Sequence, residues 1–425
     1  MAALTSGKAV EIMAEKFIDT FKEQTSVTKL VKSVPVDMGA LQNAGNSIWM
    51  PVRQRSASIS GLDLSGLQQK VVKQLYQATL GTPDNDLVEL SVTDIRDRSF
   101  FEERGREAAM QRATNLNKNI ATIVKNTGTL TYRDNSTNGL GFIGKAKAMM
   151  DKRQVAGNDR YFIINDDHQL LFANELASRQ TLQGRPADTW DTGMIGKNVA
   201  GFDIYTSSSI DSLSGGAAST TVTGNQSFAP LGGTNNQATG TVVNQDYREA
   251  VIPVAASAGF AVGDSVTFSN GATTVKAVGY ADKTLTGDAF TATIVEIISG
   301  TSVRIWPRPI AADDPALDAT DKAYANINTR ILNGATMARV NTDALTQPSL
   351  FWQKDSIHLI SGDIPIDMFK GGGQSSFKTK IPGTDLYLCM LYDSDIVKLS
   401  ATMRCFVWYG VNNANPSANG RAIKF

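Results

Sequence analysis

The stretch on which the fold turns is Glu107-Ala-Ala109-Met-Gln-Arg-Ala113-Thr-Asn-Leu116-Asn-Lys-Asn-Ile120-Ala-Thr-Ile123. Ala109, Ala113, Leu116, Ile120 and Ile123 recur at spacings of four, three, four and three, so they share one face of an α-helix. Working outward, Thr93 or Asp94 can cap the start, and Asp97, Glu102 and Glu103 suit its positive end. Lys118 and Lys125 suit the other end, and Gly128 closes it. A helix over Thr93–Asn126 would be on the order of 50 Å long. Few compact domains need so long an element, and it reads as a spine, with Gly105 as its expected bend.

Upstream, Val10, Met13, Phe17, Ile18 and Phe21 fall at helical spacing among Glu11, Glu15, Asp19 and Glu23. This short amphipathic helix either packs on its own domain or serves as an arm for something else. Asn46-Ser-Ile-Trp-Met-Pro-Val52 is a strand-like run stopped by its proline, and Val71–Leu80 is strand-like again. Between them Arg53, Arg55, Lys70 and Lys73 face a single acid, Asp63, for a net of +3. The pattern predicts an extended hairpin with a polar, basic tip, or else a solvated surface loop.

Downstream, Tyr161–Asn165 is a buried-strand candidate, followed by a helix near His168–Gln180. Residues 212–245 carry no charged side chain and are rich in Ser, Thr, Gly and Asn. Short strands then follow at Val251–Ala255, Ser265–Phe268, Thr291–Ile298 and Ser302–Trp306, separated by turns. That spacing predicts a small all-β unit, a barrel or sandwich, inserted over residues 212–345. Helix-type sequence returns near Ala319–Arg339, and the last eighty or so residues are strand-rich, ending in Met403–Val411.

Composition limits the chemistry. A chain of 425 residues is long for one compact unit. Its 42% hydrophobic content supplies a core and argues against disorder. Forty-one Lys plus Arg offset 41 Asp plus Glu, which argues against binding nucleic acid by bulk positive charge. No uncharged apolar run reaches the roughly 18 residues of a membrane span, and the start shows no secretory pattern. The expectation is a soluble protein of a reducing compartment, with no membrane partner. Cys389 and Cys405 make neither a disulfide framework nor a zinc set. With only His168 and His358 present, the commonest general base and metal ligand is nearly absent.

The most tempting motif is Gly139-Leu-Gly141-Phe-Ile-Gly144-Lys145-Ala146, which fits G-x-G-x-x-G and nearly fits a phosphate loop. Ala146 stands where the phosphate loop has its magnesium-binding hydroxyl, and a polar stretch, Arg133–Asn138, replaces the strand that a dinucleotide site requires. A glycine-rich entry into a helix explains it better. Asp166-Asp167-His168 reads as a strand-to-helix turn with an Asp cap, not a metal site, since adjacent residues on a strand point apart. Asp313-Asp314 before Pro315 is likewise a turn, the two cysteines read as small buried residues, and His358 as structural or exposed. No catalytic residues, metal ligands or cofactor are expected, and the chain is not read as an enzyme.

Several further stretches stand out: Asn46–Val52, Gly81-Thr-Pro-Asp-Asn-Asp86, Asp94-Ile-Arg-Asp97, Val199-Ala-Gly-Phe-Asp203, Gln226-Ser-Phe228, Lys322-Ala-Tyr-Ala-Asn-Ile-Asn-Thr329, Phe351-Trp352 and Trp408-Tyr-Gly-Val-Asn412. Together, in order and spacing, they resemble the major coat proteins of short-tailed lambdoid bacteriophages. The likeness runs from about residue 46 to the end, and residues before it match in pattern only.

The resemblance implies an α+β chain with the tailed-phage major capsid fold and an inserted small β-barrel. It implies an N-terminal arm over 1–45, an extended loop hairpin over 46–80 and a peripheral domain with the spine over 81–135. An axial domain over 136–211 and the insertion over 212–345 follow, and 346–425 return through the peripheral and axial domains. It further implies hexamers and pentamers forming an icosahedral shell around double-stranded DNA, held on the inner face without sequence-specific binding. Scaffold-assisted assembly in the host bacterial cytoplasm, a portal at one vertex and expansion on maturation belong to the same expectation. Candidate contacts between subunits are Arg53, Arg55, Asp63, Lys70 and Lys73 of the hairpin, and Asp246 and Arg248 of the insertion. Relatives join subunits through a charged loop of the insertion, but residues 231–248 here carry only those last two charges. Glu11, Glu15 and Asp19 are candidate scaffold contacts. A phage-derived nanocompartment shell and a nucleotide-dependent enzyme using Gly139–Lys145 are the alternatives.

Overall fold

The computed structural model describes residues 6–25, 27–35, 46–53, 56–59, 62–63, 65, 71–91, 97–137, 139–165, 168, 194–231, 246–343, 345–346, 348–362, 366, 375–395 and 400–424. They form an α+β chain of two compact units. One unit comprises residues 1–48, 78–120 and 358–412, the other residues 49–77, 121–357 and 413–425.

The spine is one helix, Arg98–Thr127, and it runs from the first unit into the second. Ala109, Ala113, Leu116 and Ile120 are buried along the face that the sequence spacing marks, whereas Ile123 is half-buried. Thr93 and Asp94 lie outside the described residues. The cap is Asp97, whose carboxylate accepts from the Ser99 backbone N–H at 2.9 Å. Helix runs through Gly105 without a break.

In the first unit the spine lies against a four-stranded antiparallel sheet, ordered Ser375–Lys380, Tyr387–Asp395, Ser400–Val407, Asp84–Leu90. Arg104 reaches Asp86 at 2.8 Å and Asn115 reaches Asp84 at 2.9 Å, tying helix to edge strand. The run Met403–Val411 is two strands, because Trp408 turns out of the ladder and its Nε1 donates to the Gly81 carbonyl at 2.6 Å. The first helix, Ser6–Gln24, packs on this sheet and on the spine, burying Val10, Met13, Phe17 and Phe21.

The second unit carries a six-stranded mixed sheet, ordered Leu130–Arg133, Asn419–Ile423, Ser349–Gln353, Arg160–Ile164, Phe202–Thr206, Met194–Val199. A helix, Gly139–Lys152, lays Phe142, Ile143, Ala146 and Met150 on it against Phe162, Phe202 and Phe351. The helix expected near His168–Gln180 falls almost wholly outside the described residues.

Residues 219–339 build the all-β part. Its strands run Ser219–Thr221, Thr336–Arg339, Ser265–Asn270, Thr291–Ser299, Ser302–Trp306, Ala250–Pro253, all antiparallel. The two outer strands meet through the Val222–Val254 bridge, and Thr223 N–H donates to the Pro253 carbonyl at 2.9 Å. Closure makes a small barrel, filled by Ile252, Val266, Phe268, Phe290, Ile294, Val303, Ile305 and Met337. The short strands Leu213–Ser214 and Leu345–Thr346 pair with each other at its base. Ala319–Arg339 is mostly not helical: only Ala319–Lys322 is α, and Ile327 instead bridges Ala277 and Ala311. Burial of Ile327 and Ile331 in the barrel core outweighs the local helical pattern.

Candidate functional site

The predicted hairpin is present. Ser47–Arg53 pairs with Lys73–Thr79 as a sheet of its own, and Pro51 lies within the first strand instead of ending it. With only two strands, a missing N–H has an open side to face. Arg55 and Lys70 lie outside the described residues, and Arg53 is described by its backbone alone. Asp63 is fully exposed, and hydrogen bonds from the Ser65 side chain and backbone hold its carboxyl below the ordinary range. Lys73 is exposed. What charge counting missed is apolar. Leu62 is as exposed as in an extended chain, at 110%, Val71 is 79% exposed, and Ile59 is exposed as well. Leucines set in a polar loop were the available signal. The root of the hairpin is anchored: Val72 packs with Ile310, Leu317 and Tyr324, and the Ala57 N–H donates to the Ala323 carbonyl at 2.9 Å.

Asp246 and Arg248 are brought together, but inside the chain. Arg248 Nη2 lies 2.6 Å from Asp246 Oδ2, and Nε donates to the same carboxylate. Nη1 donates to the carbonyls of Asn413 and Ala414 at 2.9 and 2.7 Å. The guanidinium lies between the rings of Tyr76 and Trp306, at 5.0 and 4.9 Å. The contacts of Arg248 described here, to a carboxylate, two carbonyls and two rings, all lie within its own subunit. Next to it, burial and then the Asp246 charge push the Glu249 carboxyl up to about 7, against Arg304 and Arg248.

Glu11, Glu15 and Asp19 fall at i, i+4 and i+8 and are exposed, one acidic face on a helix whose other face is buried. The helix is therefore packed on its own unit, and these acids lie on its solvent side together with Lys8, Lys22, Glu23 and Gln24.

Residues 1–424 match the family described as P22 coat protein - gene protein 5. The chain belongs to that family. It is a phage capsid shell protein, and shell assembly makes it a homo-oligomer of the virion capsid. Among solved structures, the capsid of Ralstonia phage GP4 is 7% identical with a TM-score of 0.44, over 95% of this chain and 89% of that one. The capsid of the cyanophage P-SCSP1u is 12% identical with a TM-score of 0.43, over 93% and 86%. A virus-like particle from Pyrococcus furiosus is 7% identical with a TM-score of 0.37, over 97% of each.

The motifs that suggested other chemistry have structural roles in the coat protein. Gly139 begins the helix Gly139–Lys152 with a positive φ of 54°, so Gly141, Gly144 and Lys145 lie within it and form no loop before its N-terminus. Lys145 pairs with Asp134 at 2.7 Å. Burial raises the Asp134 carboxyl, but Lys145, Thr137 and Ser136 together hold it below the carboxylate range. Asp166 and Asp167 lie outside the described residues, while His168 is buried with Nδ1 2.6 Å from Ser349 Oγ. Cys389 and Cys405 are buried, and burial pushes the Cys405 thiol up to about 12, far from a reactive thiolate. Among the described residues no group of three His, Cys, Asp or Glu could hold a metal ion, and no helix is long and apolar enough to cross a membrane.

Proposed function

We propose that this coat protein assembles as hexamers and pentamers into an icosahedral shell that encloses double-stranded DNA. A scaffolding protein assists assembly in the host cytoplasm, a portal occupies one vertex, and the shell expands on maturation. The observation that carries the reading is the hairpin that leaves Ile59, Leu62 and Val71 in solvent. A lone subunit gains nothing from that exposure, whereas a neighbouring copy would bury it. In this reading residues 1–45 are the arm, 46–80 the extended loop, 81–135 the peripheral domain, 136–211 the axial domain and 212–345 the insertion, with 346–425 returning through both. Arg53, Arg55, Asp63, Lys70 and Lys73 meet an acidic surface of the next subunit, worth on the order of 1 kcal/mol or less per exposed pair. Glu11, Glu15 and Asp19 meet a basic element of the scaffold.

Electron microscopy of the protein, expressed alone and with its phage's scaffold, tests this. Closed shells with ring-shaped capsomers are expected. Monomers or dimers in both samples at high concentration would refute it, and enclosed enzyme instead of DNA would identify a nanocompartment.

A further inference from the structure

Arg421 sits on the strand Asn419–Ile423 and has no solvent exposure. Asp264, whose charge acts on it, is held by Arg339 at 2.5 Å and by Asn341 at 3.2 Å. Burial pushes the guanidinium down to about 10. Among the described residues no ion pair joins Arg421 to a carboxylate, and a buried charge so placed needs a structural return.

The return is in its partners. Nη1 donates to the Lys125 carbonyl at 2.6 Å, and Nη2 to the Gly128 carbonyl at 3.3 Å. The Lys125 carbonyl belongs to the last turn of the spine and that of Gly128 follows its end, where a cation is favoured by the helix dipole. The same guanidinium donates to the Gly263 carbonyl and to Ser265 Oγ, and reaches Thr293 Oγ1 at 3.1 Å, all in the barrel. Around it the barrel adds hydroxyls. Thr293 Oγ1 donates to Gly128 O at 2.7 Å, Thr291 Oγ1 donates to Thr129 O at 2.6 Å, and Ser265 Oγ meets Thr131 Oγ1 at 2.5 Å. The seam between barrel and frame at this point is thus buried, polar and directional. An apolar seam tolerates sliding, but a set of fixed donors and acceptors admits one register.

We propose that Arg421 is a positioning residue that fixes the orientation of the inserted barrel on the spine and sheet, and that this orientation decides whether subunits close into uniform shells. The second half rests on the shell reading above; the first does not.

Hydrogen exchange and electron microscopy of the full chain carrying Arg421→Met, Arg421→Lys or Thr293→Val test it. In Arg421→Met, exchange over 125–131 should rise at least tenfold while the barrel strand Ser302–Trp306 keeps its protection. Its particles should be open or irregular. Arg421→Lys restores part of both properties, because an ammonium reaches the carbonyls but lacks the fork that spans the hydroxyls. Thr293→Val, attacking the seam from the barrel side, should give a milder form of the same pattern and keeps the test available where Arg421→Met does not fold. Unchanged exchange over 125–131, or an equal rise everywhere, overturns the positioning role. A loosened seam with uniform shells overturns the link to shell closure. Failure of the unmodified chain to form shells refutes the shell reading and leaves the exchange result standing.

Discussion

The carbonyl oxygen of Met13 occupies the place where a side chain at Gly105 would begin: a Cβ there would lie 2.6 Å from it. Glycine at this point in the spine allows a close contact between helices. Gly105→Ala gains up to about 1 kcal/mol of helix propensity but forces the first helix off the spine. We expect a net loss of about 1–3 kcal/mol, read as a lower urea midpoint of the unassembled subunit. A raised midpoint would mean that the two helices do not touch here.

Arg248 joins the hairpin root, the barrel and residues 413–414 through one side chain. Arg248→Ala leaves Asp246 half-buried and unpaired and removes a cation from two aromatic faces, for an expected loss of about 3–5 kcal/mol. Arg248→Lys should recover little of it, since an ammonium neither stacks nor binds the carboxylate in two places. Thermal unfolding of the unassembled subunits checks both. Equal stability of the lysine variant and the unmodified chain would refute the role of the stacked geometry.

Glu249 gives the stability a pH dependence of definite sign. Its carboxyl is raised from 4.5 to about 7, so the folded chain holds this proton where the unfolded chain has released it. From this group, stability falls as pH rises from about 4.5 to 7 and is constant above. Glu249→Gln removes that loss and should stabilise the subunit at pH 8 by on the order of 2 kcal/mol, after allowance for its partial exposure. At pH 4.5 it should change little. Lys283, lowered from 10.5 to about 8, contributes the opposite trend between those values, but it is common to both chains and cancels in their difference at pH 8. A destabilising Glu249→Gln at pH 8 would show that its pairing with Arg304 outweighs its burial.

How much of this was legible in the sequence follows from the range of each signal. The spine and the barrel strands write their burial as local periodicity, and Ser302–Trp306 was read to the residue. Ala319–Arg339 misled because its apolar residues are buried by barrel strands remote in sequence. Nothing in the sequence near Gly105 reveals that Met13 lies across it. Asp246 and Arg248 stood out as the only charges in their stretch, but sequence spacing cannot show two rings and two carbonyls closing round a guanidinium. Arg421 carried no signal at all, since its partners lie at 125–128, 263–265 and 293.

Leu62 separates folding from assembly. Its side chain is fully exposed and contributes nothing to the subunit's own core. Leu62→Ser should therefore leave the urea midpoint of the unassembled subunit unchanged, within about 0.5 kcal/mol in stability. If a neighbouring copy buries that side chain, the substitution removes about 1.5–3 kcal/mol from each contact. The loss repeats at every copy in a ring, so even the lower figure should raise the critical concentration for shell formation by tenfold or more. Light scattering at graded protein concentration, with the scaffold at a fixed ratio, measures this. Unchanged assembly would place Leu62 in solvent in the shell too, and the contact would have to lie in the hairpin's cations. In that case raised salt should weaken assembly, whereas an apolar contact persists or strengthens.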